Sequence, residues 1–370
     1  MVRSLILLLL ACTMAETAQA QAVRIEGGLP RQDRRPLQAL TGLETEYGHV
    51  RTSEGTRLRT ILTRPAGAKG RLPAVFLTQW VSCGSLDFDA GKPGLLRDLA
   101  EQSGMVLIRV ERSGTGDSEG PDCSALDYDT EVRHYREAFD RLSRHSWVDP
   151  DRIVIFGSSL GATTAPQVAE GKKVAGIVAQ GGGALTYVER MIAFDRLYLE
   201  RSGKYRADQI HEEMLRRIPF HIEYLLGQKT PEQIAGDRPD LAHVWKSIRG
   251  GPEAPPHYGR PYAWHWQAAK KDFLEAWSKV SAPVLVIYGE YDQFEPRHGH
   301  KLIVDTINAS RPGTASFIEV PRADHDIELY ASPEDAYAYR NPEVRRDLFV
   351  RPMLDWIRQV TSGQAPRARR

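Results

Sequence analysis

Short apolar runs recur along the chain, and stretches with helical spacing separate them. Residues 44–51 and 56–64 predict two strands around the turn Ser53-Glu54-Gly55. Ala74-Val75-Phe76-Leu77, Met105-Val106-Leu107-Ile108-Arg109-Val110 and Ile153-Val154-Ile155-Phe156 are short apolar runs. A strand buried on both faces needs that pattern. Residues 174–179, 284–288 and 315–320 add three more strands. Helices are predicted over 95–103, where Gly104 supplies the stop, and over 344–360 as an amphipathic closing helix. Between them Val132, Tyr135, Phe139 and Leu142 recur at helical spacing. Strands alternating with helices predict an α/β fold: a mostly parallel sheet with helices on both faces.

The pattern changes between residues 185 and 280. Buried-strand runs stop, helical stretches such as 187–201 and 207–218 take over, and aromatic residues are frequent. Roughly 95 residues is too long for one connection, so this segment is expected to be an inserted helical cap. It divides the core into residues 44–184 and 281–361, with a lead-in over 21–43 and a disordered tail over 362–370.

The N-terminus reads differently again. Arg3, the apolar run Leu5-Ile6-Leu7-Leu8-Leu9-Leu10 and a small, polar stretch ending Ala18-Gln19-Ala20 have the layout of a secretory signal peptide over residues 1–20. The run is too short to span a bilayer. Leu9-Leu10-Ala11-Cys12 weakly resembles a lipobox, so a lipid anchor at Cys12 is the rival to a free secreted or periplasmic form. With a net charge of +1, nothing global points to nucleic acid or to an anionic membrane. Cleavage at Ala20 leaves Cys83 and Cys123, which are either free thiols or, in an oxidising compartment, a disulfide.

The candidate chemistry sits at strand ends. Gly157-Ser158-Ser159-Leu160-Gly161 follows the strand run 153–156 directly. A serine on a sharp strand-to-helix turn needs small residues two before and two after it, which makes Ser159 the candidate nucleophile and Gly157 and Gly161 its elbow. Pro166 falls early in the helix that follows and is expected to bend or restart it. His325, just after the last strand run, is the candidate base. Asp292, in Gly289-Glu290-Tyr291-Asp292, is the candidate orienting acid. Glu290 and Glu295 are read as solvated loop carboxylates, and the other histidines as packing or surface residues. The oxyanion donors are expected to be the amides of Leu160 and Trp80. Cys83 shares the Trp80 loop and Cys123 lies in the loop after the neighbouring strand, so a Cys83–Cys123 bridge would pin the oxyanion loop. The glycine-rich run 113–120 superficially resembles a dinucleotide loop, but its third glycine comes one residue late.

These residues resemble the α/β-hydrolase superfamily over about residues 44–360. The resemblance rests on Gly157-Ser158-Ser159-Leu160-Gly161, on Gly289-Glu290-Tyr291-Asp292, on Asp324-His325-Asp326 and on the arginine- and glycine-rich loop from Arg112 to Gly120. Secreted esterases and serine aminopeptidase-like proteins carry such a loop. The resemblance implies an eight-stranded sheet, a lid, and hydrolysis through an acyl-enzyme, with no cofactor and no metal. Many members carry His-Gly before the oxyanion donor, where this chain has Thr78-Gln79. The expected substrate is a small carboxylic ester. A peptidase acting at a peptide N-terminus is the alternative, and it needs a carboxylate beside Ser159, with Glu189, Glu200 and Glu223 as candidates. A binding protein on a hydrolase scaffold is the third reading. Oligomeric state is left open.

Overall fold

A computed structural model describes residues 22–25, 29, 32, 37, 38, 40–87, 94–249 and 256–363. The leader expected over 1–20, with Cys12, lies outside them, as do residues 364–370 of the expected tail. The strands are β1 (Ala22–Ile25), β2 (Leu43–Arg51), β3 (Arg57–Pro65), β4 (Leu72–Thr78), β5 (Val106–Val110), β6 (Val148–Ser158), β7 (Gly176–Gln180), β8 (Val284–Gly289) and β9 (Ala315–Val320). They form one sheet in the order β1-β2-β3-β5-β4-β6-β7-β8-β9. Only β3 runs against its neighbours; every other pairing is parallel. Eight strands coincide with the predicted runs. The ninth, β1, is a four-residue edge strand inside the segment read as a lead-in, too short to carry a periodicity of its own.

Helices α1 (Leu95–Gln102), α2 (Tyr128–Leu142) and α3 (Gly161–Ala169) connect the first strands, α10 (Arg297–Ser310) connects β8 to β9, and α11 (Pro333–Tyr337) and α12 (Asp347–Thr361) follow β9. Because side chains alternate along a strand, each apolar run feeds two cores at once. Ile153 and Ile155 pack with Phe139, Val168 and Ile303 on one face. Val154 and Phe156 pack with Leu99, Met353 and Trp356 on the other. This double burial is why the runs are apolar at every position. α3 runs through Pro166, which has no N–H to give to Ala162, and ends three residues later.

Between β7 and β8 the described residues form α4 (Tyr187–Arg201), α5 (Ala207–His221), α6 (Pro231–Asp237), α7 (Ala242–Arg249), α8 (Tyr262–Ala269) and α9 (Phe273–Ser278). Their starts follow from local chemistry. Thr186 and Glu189 form a capping box at α4, and Thr230 and Gln233 another at α6, where Pro231 opens the first turn. A third apolar cluster holds these helices together through Phe220, Tyr224, Leu241 and Trp264, and meets the sheet layer at Leu160 and Tyr128.

Candidate active site

β6 ends in a turn that the chain can make only with glycine on both sides of the serine. Ser159 has φ +54°, a left-handed conformation disfavoured for any residue with a Cβ. A Cβ on Gly161 would lie 2.0 Å from the Thr78 carbonyl oxygen, and one on Gly157 would lie 2.6 Å from the Gly161 carbonyl oxygen. The strained turn is held from outside. Ser159 N–H donates to the Gln180 carbonyl at 2.7 Å, Ser158 Oγ donates to Gln180 Oε1 at 2.8 Å, and Thr78 Oγ1 donates to the Gly161 carbonyl at 2.8 Å.

Asp292 and His325 lie beyond the carboxyl ends of β8 and β9. Asp292 is fully buried. Its Oδ1 accepts the N–H groups of Phe294 and Glu295 at 2.8 and 2.9 Å, and its Oδ2 accepts His325 Nδ1–H at 2.8 Å. Burial alone would raise the Asp292 carboxyl, but the charge and hydrogen bond of His325 outweigh it and hold the group below the usual range. Burial likewise opposes charge on His325, yet Asp292, with Asp326 and Glu295 behind it, raises the imidazole well above the ordinary histidine value. Gln180 also fixes this loop, since its Nε2 donates to the His325 carbonyl at 2.7 Å. His325 and Ser159 line one cavity of about 630 Å3.

Gln180 and the glycines after it were not singled out in the sequence. Gly181 has φ +63°, and a Cβ there would lie 2.9 Å from His325 Cε1, so this glycine makes room for the ring. The signal was present as the run Gly181-Gly182-Gly183 directly after a strand.

The Trp80 loop is pinned from below. Arg112, almost fully buried, donates through Nη1 to the Ser82 carbonyl at 2.7 Å, and through Nη2 to the carbonyls of Gln79, at 3.1 Å, and Trp80. Its Nε meets Glu131 at 2.7 Å. Cys83 and Cys123 form a disulfide, with Cα atoms 5.8 Å apart, and Arg260 contacts Glu131 and the Cys123 sulfur. Among the described residues, neither the Trp80 nor the Leu160 N–H has a protein acceptor. The glycine-rich loop 113–120 turns its amides inward: Asp117 N–H goes to Glu111 and Gly114 N–H to the Glu119 carbonyl. No open phosphate cradle results.

Two expectations need correction. Glu295 is no solvated loop carboxylate. It is 1% exposed, lines the cavity and pairs with Arg190 of α4. None of Glu189, Glu200 and Glu223 lines the cavity. The first caps α4, the second pairs with Arg196, and the third pairs with Lys229. Of the aromatic residues between β7 and β8, Tyr187, Phe194 and Tyr258 reach the cavity, whereas Tyr224 and Trp264 pack among the helices. No group of three or more metal-ligating side chains converges among the described residues.

The sheet order, the serine turn after β6 and the bonded Asp292–His325 pair define the architecture of an α/β hydrolase. Residues 79–338 match the family model of the alpha/beta hydrolase family, and the chain belongs to that family. A 115-residue stretch is 38% identical to the polyketide transferase ATR5 of Stachybotrys chlorohalonatus and covers 30% of this chain. It covers 35% of that protein, so the chain spans about a third of the length of the curated relative it matches. The alpha/beta hydrolase GrgF from Penicillium sp. sh18 aligns with 86% of this chain and 99% of its own at TM-score 0.53 and 14% identity. The Pyrococcus furiosus esterase PF2001 aligns with 92% and 99% at TM-score 0.50 and 12% identity. At these identities the two structures speak for the fold. No helix among the described residues is long and apolar enough to cross a membrane.

Proposed function

We propose that this chain is an exported serine hydrolase that cleaves a carboxylic ester through an acyl-enzyme. The observation that carries the reading is the convergence of a left-handed Ser159 and an Asp292-bonded His325 on one cavity. In this reading Ser159 Oγ attacks the ester carbonyl carbon while His325 Nε2 takes its proton. The oxyanion lies between the unpaired Leu160 and Trp80 amides. Collapse breaks the bond to the alcohol oxygen, which receives the proton from His325. Water then attacks the acyl-enzyme by the same route, releasing the acid and restoring Ser159. Asp292 fixes the imidazole tautomer and balances the imidazolium formed twice per cycle. The leader-like pattern expected over 1–20 and the Cys83–Cys123 disulfide are compatible with export, since such a bond persists in an oxidising compartment. The helices from α4 to α9 act as the cap that selects substrate.

A peptidase reading has less support. Among the described residues four carboxylates line the cavity, Asp87, Glu295, Asp326 and Glu328; Glu295 is paired with Arg190, Asp87 accepts the Tyr47 hydroxyl, and none of the three carboxylates expected to seat a substrate amine is among them. The test is a fluorophosphonate probe on the mature protein beside Ser159→Ala, followed by a screen of matched esters and aminoacyl amides. Labelling that depends on Ser159, with turnover of esters only, is the expected result. Equal labelling of both proteins would overturn the assignment of the nucleophile, and faster amide turnover would overturn the ester.

A further inference from the structure

Arg190 stands out among the charged groups of the cavity wall. Arg97 is paired with Glu101, Arg346 with Asp98, and Asp87 accepts the Tyr47 hydroxyl. Arg190 is only 8% exposed, and one of its nitrogens, Nη1, has no hydrogen-bond partner, although Nη2 pairs with Glu295. A buried guanidinium normally fills every donor, because each unmet one carries the full loss of its hydration. Met191, Phe194 and Phe294 line the same cavity with apolar side chains, and the hydroxyl of Tyr258, which also lines it, feels the Arg190 charge.

We propose that Arg190 is the seat for a carboxylate on the substrate, so that the preferred substrate is an apolar ester with an acid group at a distance from the scissile bond. The proposal rests on the serine-hydrolase reading of the same cavity and deepens it. The planar guanidinium suits the task, since it takes two oxygens in parallel. Glu295 tunes the seat. It balances Arg190, so the charge is not left bare. Burial pushes its carboxyl up to about 7 against the pull of Arg190, so it readily takes a proton when a second carboxylate arrives. The charged and titratable groups around Glu295 are Arg190 and Tyr187 from α4, Tyr258, Asp292 and His325. Asp326, exposed on the His325 loop, and the half-buried Glu328 also line the cavity and disfavour an anion beside them, which leaves Arg190 of α4 as its seat.

The experiment compares p-nitrophenyl half-esters of straight-chain dicarboxylic acids with their methyl-capped diesters. It uses wild type, Arg190→Lys and the paired variant Arg190→Met/Glu295→Gln, which removes both charges together. Wild type is expected to favour the half-ester in kcat/KM by roughly tenfold to a hundredfold for one chain length, the range of one charged hydrogen bond. The paired variant is expected to lose or reverse that ratio, and Arg190→Lys to keep part of it. A wild-type ratio of one or less at every chain length, or a preference that survives in the paired variant, would overturn the proposal. Binding of the monomethyl ester of each diacid to Ser159→Ala, followed by calorimetry, reads the seat without catalysis. Failure of Ser159 to label with a fluorophosphonate while the monoacid still binds through Arg190 would sink the hydrolase reading and leave the seat standing. Labelling of Ser159 with no binding preference for the monoacid over its dimethyl ester would do the reverse.

Discussion

Replacing Arg112 by methionine tests whether the loop carrying Trp80 is held in place by one buried guanidinium. The side chain is 2% exposed and donates to three main-chain carbonyls, those of Gln79, Trp80 and Ser82. Methionine fills much of the volume and donates nothing. Three carbonyls then lose a charged donor, at about 1 kcal/mol each where water cannot replace it, so the variant should unfold about 3 kcal/mol more easily. Glu131 is not stranded, because Arg260 and the Trp264 indole N–H, at 3.0 Å, still meet it. The second effect is on rate. Deleting an oxyanion donor outright costs about 10²–10³ in kcat. Here the donor remains but drifts, and the loop is still tied by the Cys83–Cys123 bond and by Gln79 Nε2 on the Gly84 carbonyl at 2.7 Å. The expected loss is therefore roughly ten- to a hundredfold in kcat, with KM little changed, because the donor acts on the transition state. Urea unfolding gives the first number and steady-state hydrolysis of a neutral p-nitrophenyl ester the second. The rate of fluorophosphonate labelling should fall in parallel, since phosphonylation uses the same amides. Arg112→Lys should restore part of both. A variant that loses the predicted stability yet keeps wild-type kcat and labelling rate would reduce Arg112 to a fold residue and refute its link to the oxyanion loop.

The remaining predictions concern pH, redox state and the elbow. Asp292 raises His325, and the proposed mechanism needs the neutral imidazole, so kcat/KM should climb with pH through a midpoint above 6.5; a midpoint at or below that value refutes the coupling. His265 and His300 are fully buried, and burial lowers them to about 3 and about 4. At these two sites the unfolded chain therefore binds more protons than the folded one below pH 6.5, so their contribution to stability falls as pH drops toward those values, against the opposite contribution of the raised carboxyls of Glu295 and Asp324. His265→Gln should flatten that slope in urea titrations at about pH 7 and about pH 5, and an unchanged slope would count against it. The disulfide closes a 40-residue span, so its reduction should lower stability by about 4 kcal/mol on the chain-entropy estimate, read from unfolding with and without reductant. Gly161→Ala sets a methyl group against the Thr78 carbonyl and should abolish fluorophosphonate labelling of whatever fraction folds.

The parts of this molecule that the sequence carries plainly are those that depend on local pattern. An apolar run such as Ile153-Val154-Ile155-Phe156 is unusual unless both faces are buried, and a Gly-x-Ser-x-Gly after it has a steric reason that acts within five residues. The Cys83–Cys123 pairing follows at one remove, from which loops share an edge. What stayed hidden depends on contacts between distant segments. Gln180 reads as an ordinary residue at a strand end, yet it joins Ser158, Ser159 and the His325 loop. Arg112 stood inside a glycine-rich loop whose glycines drew attention, while the arginine does the holding.

Glu295 makes the point most sharply. Three residues from Asp292 in a polar loop, it has every local mark of a solvated carboxylate. Asp292 itself turns it inward, because Asp292 Oδ1 accepts the Phe294 and Glu295 amides and closes a tight turn. That turn directs the Glu295 side chain at α4, where Arg190 comes from a position about 100 residues earlier in the chain. A buried carboxylate without that arginine would have to shed its charge, and a buried arginine without that carboxylate would need another anion or water. Each residue is tolerable only because the other is there. Neither one's sequence neighbourhood contains the reason, and the pair therefore becomes visible only when the fold closes α4 over the carboxyl end of β8.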